Sequence, residues 1–192
     1  MKEMQRRSFL QLALAAIPSS LIGQSSATSS LASRAKAVRV AAGTDREGQT
    51  RAIGISNTTY KILTQDTGGA LFTLEQLNHK KGGPERHLHH GQDEFWYVLE
   101  GEYVFEIGSE RFRLKADDCI LGPREVPHGW AFVGDSTGRL LISFTPAGKM
   151  EDFFNQRYPP GSTPGPYSHT DNDAAVARTF GMEVVGPPIA LE

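Results

Sequence analysis

Three of the six histidines in this 192-residue chain fall within four positions, His87-Leu88-His89-His90. Side chains alternate along an extended strand, so His87 and His89 share a face and both imidazoles can reach one ion. His90 falls on the opposite face. Glu94 follows across the polar turn Gly91-Gln92-Asp93, at the head of the apolar run Phe95-Trp96-Tyr97-Val98, where a neighbouring strand can present its carboxylate. His128 stands in Pro127-His128-Gly129-Trp130, leading another strand-like stretch. Three neutral imidazoles and one carboxylate make a mixed N/O set suited to one divalent transition metal ion, Fe, Mn, Ni, Co, Cu or Zn. In a five- or six-coordinate site, four protein ligands leave one or two positions open for substrate or dioxygen.

The elements that must position these residues read as short strands. Between about Val38 and Gly148, Tyr60 to Leu63, Ala70 to Leu77 and Phe95 to Leu99 are strand-like. Tyr103, Phe105 and Ile107 alternate with Glu102, Val104 and Glu106, and Gly108-Ser109 turns the chain into Arg111 to Leu114. Cys119 to Leu121, Gly129 to Val133 and Leu140 to Phe144 complete the set. No segment here has a helical period, and many short strands at regular spacing indicate a sandwich or barrel. Residues 156–173 are rich in Pro, Gly, Ser and Thr and read as an extended surface segment. Asp171 to Phe180 reads as a short helix with Asp171 or Asn172 as N-cap. There is no internal repeat, so one barrel is expected.

The stretch from Gly83 to Gly101 resembles the first cupin motif, G(X)5HXH(X)3-4E(X)6G, with the spacing from His87 through Glu94 to Gly101 kept. Lys81 stands where the motif opens on glycine. The second motif, G(X)5PXG(X)2H(X)3N, is matched by Pro123 and His128, with Asp117 and Glu125 at its glycines and Phe132 at its asparagine. The chain is most similar to small bacterial quercetin 2,3-dioxygenase-like cupins, including the ending Phe180-Gly181-Met182-Glu183-Val184-Val185-Gly186-Pro187-Pro188. The resemblance implies an all-β cupin jelly roll with a short helical or extended C-terminal tail, metal held inside the barrel, and pairing as a homodimer. It also implies a small enolic or phenolic substrate, with dioxygen as co-substrate, and a second role for Glu94 as acceptor of a proton from an enolic hydroxyl. A metal-dependent isomerase or epimerase of a sugar-like substrate and a non-catalytic small-ligand binder use the same fold. A surface histidine cluster without metal is the bland alternative, and a distant histidine and glutamate at matching offsets argue against it.

Other residues are placed by parity. Trp96 shares the parity of Glu94, which suits either cavity lining or core filling; Phe132 shares that of His128 and would make a substrate pocket more apolar. His79 and His169 are isolated and read as solvated loop residues. Asp93 and Glu125 read as surface carboxylates. Cys119 is the lone cysteine, so no internal disulfide can form, and its apolar surroundings suggest a buried thiol.

The first segment reads as an address. Arg6-Arg7-Ser8-Phe9-Leu10 resembles a twin-arginine export signal, followed by the apolar run Leu12 to Ile17 and a Ser/Ala-rich stretch. Cleavage is expected after Ala27 or Ala37, with a periplasmic or secreted destination. Pro18 and Ser19-Ser20 interrupt the run far short of the roughly 18–20 apolar residues of a membrane span, so no stable membrane anchor is expected. The expected division is therefore a leader over 1–37, a barrel over 38–148 and a C-terminal extension over 149–192 packing on it. A formal net charge of −2 provides no basic field for nucleic acid.

Overall fold

The computed structural model describes residues 37–167 and 170–191. The leader expected over 1–37, apart from its last residue, lies outside the described residues, as does His169. The described chain folds as an antiparallel all-β jelly roll of β1 (Arg51–Ile53), β2 (Ser56–Ile62), β3 (Phe72–Asn78), β4 (Glu85–His89), β5 (Asp93–Glu100), β6 (Glu102–Ile107), β7 (Glu110–Lys115), β8 (Cys119–Gly122), β9 (His128–Phe132) and β10 (Gly138–Thr145). Two helices, α1 (Met150–Arg157) and α2 (Asp171–Thr179), and a last strand, β11 (Met182–Pro188), follow. A six-stranded sheet runs β1-β2-β3-β10-β5-β8 and a five-stranded sheet runs β11-β4-β9-β6-β7. Among the described residues no helix is long and apolar enough to cross a membrane.

Period-two patterning builds these strands. On β5 the buried residues are Glu94, Trp96 and Val98, which sit opposite Phe144, Ile142 and Leu140 of β10. The intervening residues face outward. The inward faces of both sheets meet in one core that includes Trp96, Tyr60, Tyr103, Phe72, Phe105 and Phe144. Each such side chain contributes on the order of 2 kcal/mol by leaving water. The β6–β7 hairpin closes on Gly108-Ser109, with Gly108 at φ 59°, the left-handed conformation a two-residue loop demands at this position.

The structure departs from the sequence expectations in four places. Neither helix α1 nor strand β11 is assigned by the sequence patterning, and β11 includes Gly186-Pro187-Pro188. Strand β11 is the outermost strand of its sheet, where a missing proline N–H is tolerated. It pairs with β4, placing Met182 opposite His89 and Val184 opposite His87. Helix α2 is capped by Thr170, whose Oγ1 accepts from the Asp173 amide at 3.2 Å, rather than by Asp171 or Asn172. Cys119 is exposed, because β8 turns Ile120 inward and leaves Cys119 and Leu121 outside.

The segment after α1 is extended, as its composition suggested, but it is tied to β1. Gly161 N donates to Thr50 O (2.7 Å), Gly165 N to Gly54 O (2.8 Å) and Ala52 N to Ser162 Oγ (3.0 Å). The outer edge of the six-stranded sheet is thereby covered.

Candidate metal centre

His87 and His89 extend inward from β4, and His128 opens β9 directly opposite His87. Glu94 comes from β5 in the other sheet, so the four residues join both halves of the barrel. Their candidate ligand atoms all lie within 4.8 Å of one another. Glu94 Oε2 stands 3.0 Å from His89 Nε2, 3.3 Å from His128 Nε2 and 3.8 Å from His87 Nε2. Two donors each about 2.1 Å from one ion, at angles between 90° and tetrahedral, are separated by roughly 3.0–3.4 Å. The first two distances fit that range.

The outer nitrogens of the rings decide which lone pairs face inward. His87 Nδ1 donates to Glu85 O at 2.8 Å, and His128 Nδ1 donates to Val126 O at 2.9 Å. A carbonyl can only accept, so both rings carry their proton on Nδ1 and aim a lone pair from Nε2 at the cluster. His128 is buried and its Nε2 has no hydrogen-bond partner. An orphaned buried nitrogen costs on the order of 1–3 kcal/mol, and a metal ion is the partner that its lone pair suits. The donor set therefore fits a divalent transition metal.

Burial disfavours the Glu94 charge, yet the close imidazoles of His128, His87 and His89 outweigh it and hold the carboxyl well below the usual carboxylate range. Such an environment favours ligation over acceptance of a proton. Burial works against a charged His87 too, but Glu94 outweighs it and raises its pKa, whereas in His89 burial prevails and lowers it. Gly122 lies opposite Glu94, and a Cβ there would fall 3.0 Å from His128 Nδ1 and 2.8 Å from the Trp96 ring. The site is thus packed tightly behind the ligands.

In front of them lies a cavity of about 110 Å³ lined by His87, His89 and Glu94. Its apolar wall includes Phe144 of β10 and Met150 and Phe154 of α1; its polar lining includes Gln76 of β3, Arg157 of α1 and Tyr167. Neither aromatic residue singled out as a pocket candidate lines it. Trp96 packs edge-on to His128 at 5.2 Å and tilted on Phe105, and Phe132 packs on Tyr103 at 5.3 Å. Both point inward as their parity requires, but they fill the closed part of the barrel. His90 faces out and pairs with Glu125 at 3.0 Å, and Asp93 pairs with Arg124 at 2.9 Å. The residues that sequence reasoning missed are Gln76 and the lining from the C-terminal segment. Gln76 carried a signal, the shared parity with Phe72 and Leu74.

The Cupin domain family model matches residues 74–144, a span that contains all four candidate ligands. The polyketide synthase CurC of Streptomyces cyaneus is 33% identical over 87 residues, covering 44% of this chain and 56% of that protein. An uncharacterized protein of Methanocaldococcus jannaschii is 30% identical over 66 residues, covering 34% of this chain and 53% of its own. The chain spans about half the length of these curated relatives. Among solved structures, a predicted oxalate decarboxylase from Thermotoga maritima is similar at a TM-score of 0.50 and 17% identity, covering 58% of this chain and 99% of that one. At that identity the likeness concerns the fold. Residues 74–144 thus match the Cupin domain family, and the fold is the cupin jelly roll.

Proposed function

We propose that the chain binds one divalent transition metal ion through His87, His89, Glu94 and His128 and acts as a dioxygenase-like oxidoreductase on a small enolic or phenolic compound. The observation that carries this reading is the convergence of fixed Nε2 lone pairs on Glu94, beside a cavity that the ligands themselves line. When bound, such an ion polarises an enolic oxygen and, if redox-active, gives dioxygen an inner-coordination partner. The chain's residues do the rest. The Glu85 and Val126 carbonyls orient two imidazoles, Glu94 is held ionised, and Phe144, Phe154 and Met150 keep bulk water from the reacting face. An apolar cavity of about 150 Å³ accommodates benzene, so a cavity of about 110 Å³ supports a substrate of one ring or less rather than a three-ring flavonol. Export is proposed as well, on the strength of the twin-arginine leader, and cell fractionation checks it.

The test is to purify the protein, measure its metal content and screen single-ring enols with an oxygen electrode. One equivalent of metal and metal-dependent oxygen uptake that is lost in His128→Ala are expected. Uptake that persists in His128→Ala would sink the proposed site. Conversion without oxygen uptake would transfer the site to isomerase chemistry, and no stoichiometric metal would defeat the reading altogether.

A further inference from the structure

The polar lining of the cavity extends beyond the ligand cluster. Gln76 is a buried residue of β3 whose Oε1 has no hydrogen-bond partner. The buried Tyr167 hydroxyl also lacks a partner in hydrogen-bonding geometry; the Ser56 hydroxyl near it accepts from Asn78 Nδ2 at 2.7 Å and keeps its own proton to donate. Both residues line the same cavity as His87, His89 and Glu94. Leaving two such groups unsatisfied costs on the order of 1–3 kcal/mol each, which a ligand group can recover.

Register separates this pair from the metal end. Glu94 lies opposite Phe144 and Gln76 opposite Leu140, four positions apart along β10. That is roughly 13 Å along the strand direction. The Ile142 row, between them, is apolar. Tyr167 is fixed on this side by its strap, its ring packed over Gly54, where a Cβ could not be accommodated. Burial raises its hydroxyl pKa, so it remains an O–H donor, while Gln76 Oε1 is an acceptor. A hydroxyl group is complementary to both, since it accepts from one and donates to the other. A carboxylate is not. It would meet the Gln76 lone pairs, and the guanidinium on the cavity wall, Arg157, is already paired with Asp173 at 2.7 Å.

We propose that Gln76 and Tyr167 form a hydroxyl-recognising end of the cavity, which selects small neutral ligands carrying an enolic chelating pair at one end and a hydroxyl at the other. This rests on the metal site proposed above. Three pyranone probes that share one enolic chelating edge test it: kojic acid, with a hydroxymethyl across the ring, allomaltol, with a methyl there, and comenic acid, with a carboxylate. Cobalt(II) uptake by the purified protein is measured first, and then probe affinity from the visible spectrum of the bound cobalt. Kojic acid is expected to bind about tenfold more tightly than either of the others, about 1.4 kcal/mol. That preference should fall below about threefold in both Gln76→Met and Tyr167→Phe, with cobalt stoichiometry and allomaltol affinity retained.

Cobalt uptake without a hydroxyl preference, or a preference that survives in either folded variant, overturns this proposal and leaves the metal site standing. Comenic acid binding most tightly overturns it too. Failure to take up cobalt defeats both readings together. If Gln76→Met does not fold, Tyr167→Phe alone decides.

Discussion

Glu94 Oε2 lies 3.0 to 3.8 Å from three imidazole nitrogens, so a shift of one ring is felt by the whole cluster. Gly122 is the sensitive point behind it. Gly122→Ala places a methyl group against His128 Nδ1 and Trp96, and is expected to weaken metal affinity by about tenfold or more, roughly 1.4 kcal/mol. Isothermal titration with Zn(II) reads this directly, and unchanged affinity would show that the rings are not held by packing. Protons compete with the metal for the same lone pairs. Burial opposes a charged His87, but Glu94 outweighs it and raises the pKa, whereas burial lowers that of His89, so His87 takes up its proton before His89 as pH falls. Metal affinity is expected to hold at about pH 8 and to decline as pH falls towards and through about 6.5, the ordinary imidazole value, because the raised His87 pKa lies above it. Competition with a chromophoric chelator across that range measures it. That these four residues converge was legible in the sequence because strand alternation specifies a face. Depth is another matter: Trp96 and Phe132 have inward parity, but which layer of the barrel a side chain occupies depends on stagger between strands, which no local pattern encodes.

The elements flanking the site are held by polar anchors as well as by the core. Asp45, in the segment leading to β1, accepts from the amides of Glu47 (2.8 Å), Gln49 (3.1 Å) and Tyr60 (2.7 Å) and pairs with Arg51 at 3.0 Å. Burial disfavours its charge, yet the Tyr60, Glu47 and Gln49 amides and Arg51 outweigh it and lower the pKa from 3.8. The stability this adds is complete above 3.8, the unfolded-chain value, and is lost as pH falls through the lower folded value. Asp45→Ala is expected to cost about 3 kcal/mol at neutral pH, where Arg51 loses its buried partner and keeps only the exposed Glu47. Urea unfolding should show that gap closing towards about pH 3. Most barrel strands could be read in advance from alternation. Helix α1 could not, because its two turns are too short for a period to stand out, although Met150, Phe153 and Phe154 do lie at helical spacing. Strand β11 was concealed by its prolines, whose meaning depends on the edge position that only the assembled sheet reveals.

At the scale of the whole molecule, three of the candidate ligands belong to one sheet and the fourth to the other. An ion bound there would clip the two sheets together, and unfolding would have to release it. Metal at about 100 times its dissociation constant adds about 2.7 kcal/mol, and the melting temperature is expected to rise by about 5–10 °C. Differential scanning calorimetry with and without EDTA checks this; no shift would mean that the ion is not held by the folded state.

The pairing of β11 with β4 also sets an order in time. Ribosomes deliver His87, His89, Glu94 and His128 well before Met182 and Val184, the residues that lie against the two β4 histidines. At about 5–20 residues per second the interval is roughly 3–10 s. During it the nascent chain carries every ligand but lacks the strand that flanks the first two. The β4 side of the cluster is therefore covered only late in synthesis, and a chain stopped short of β11 would carry His87 and His89 on an open sheet edge.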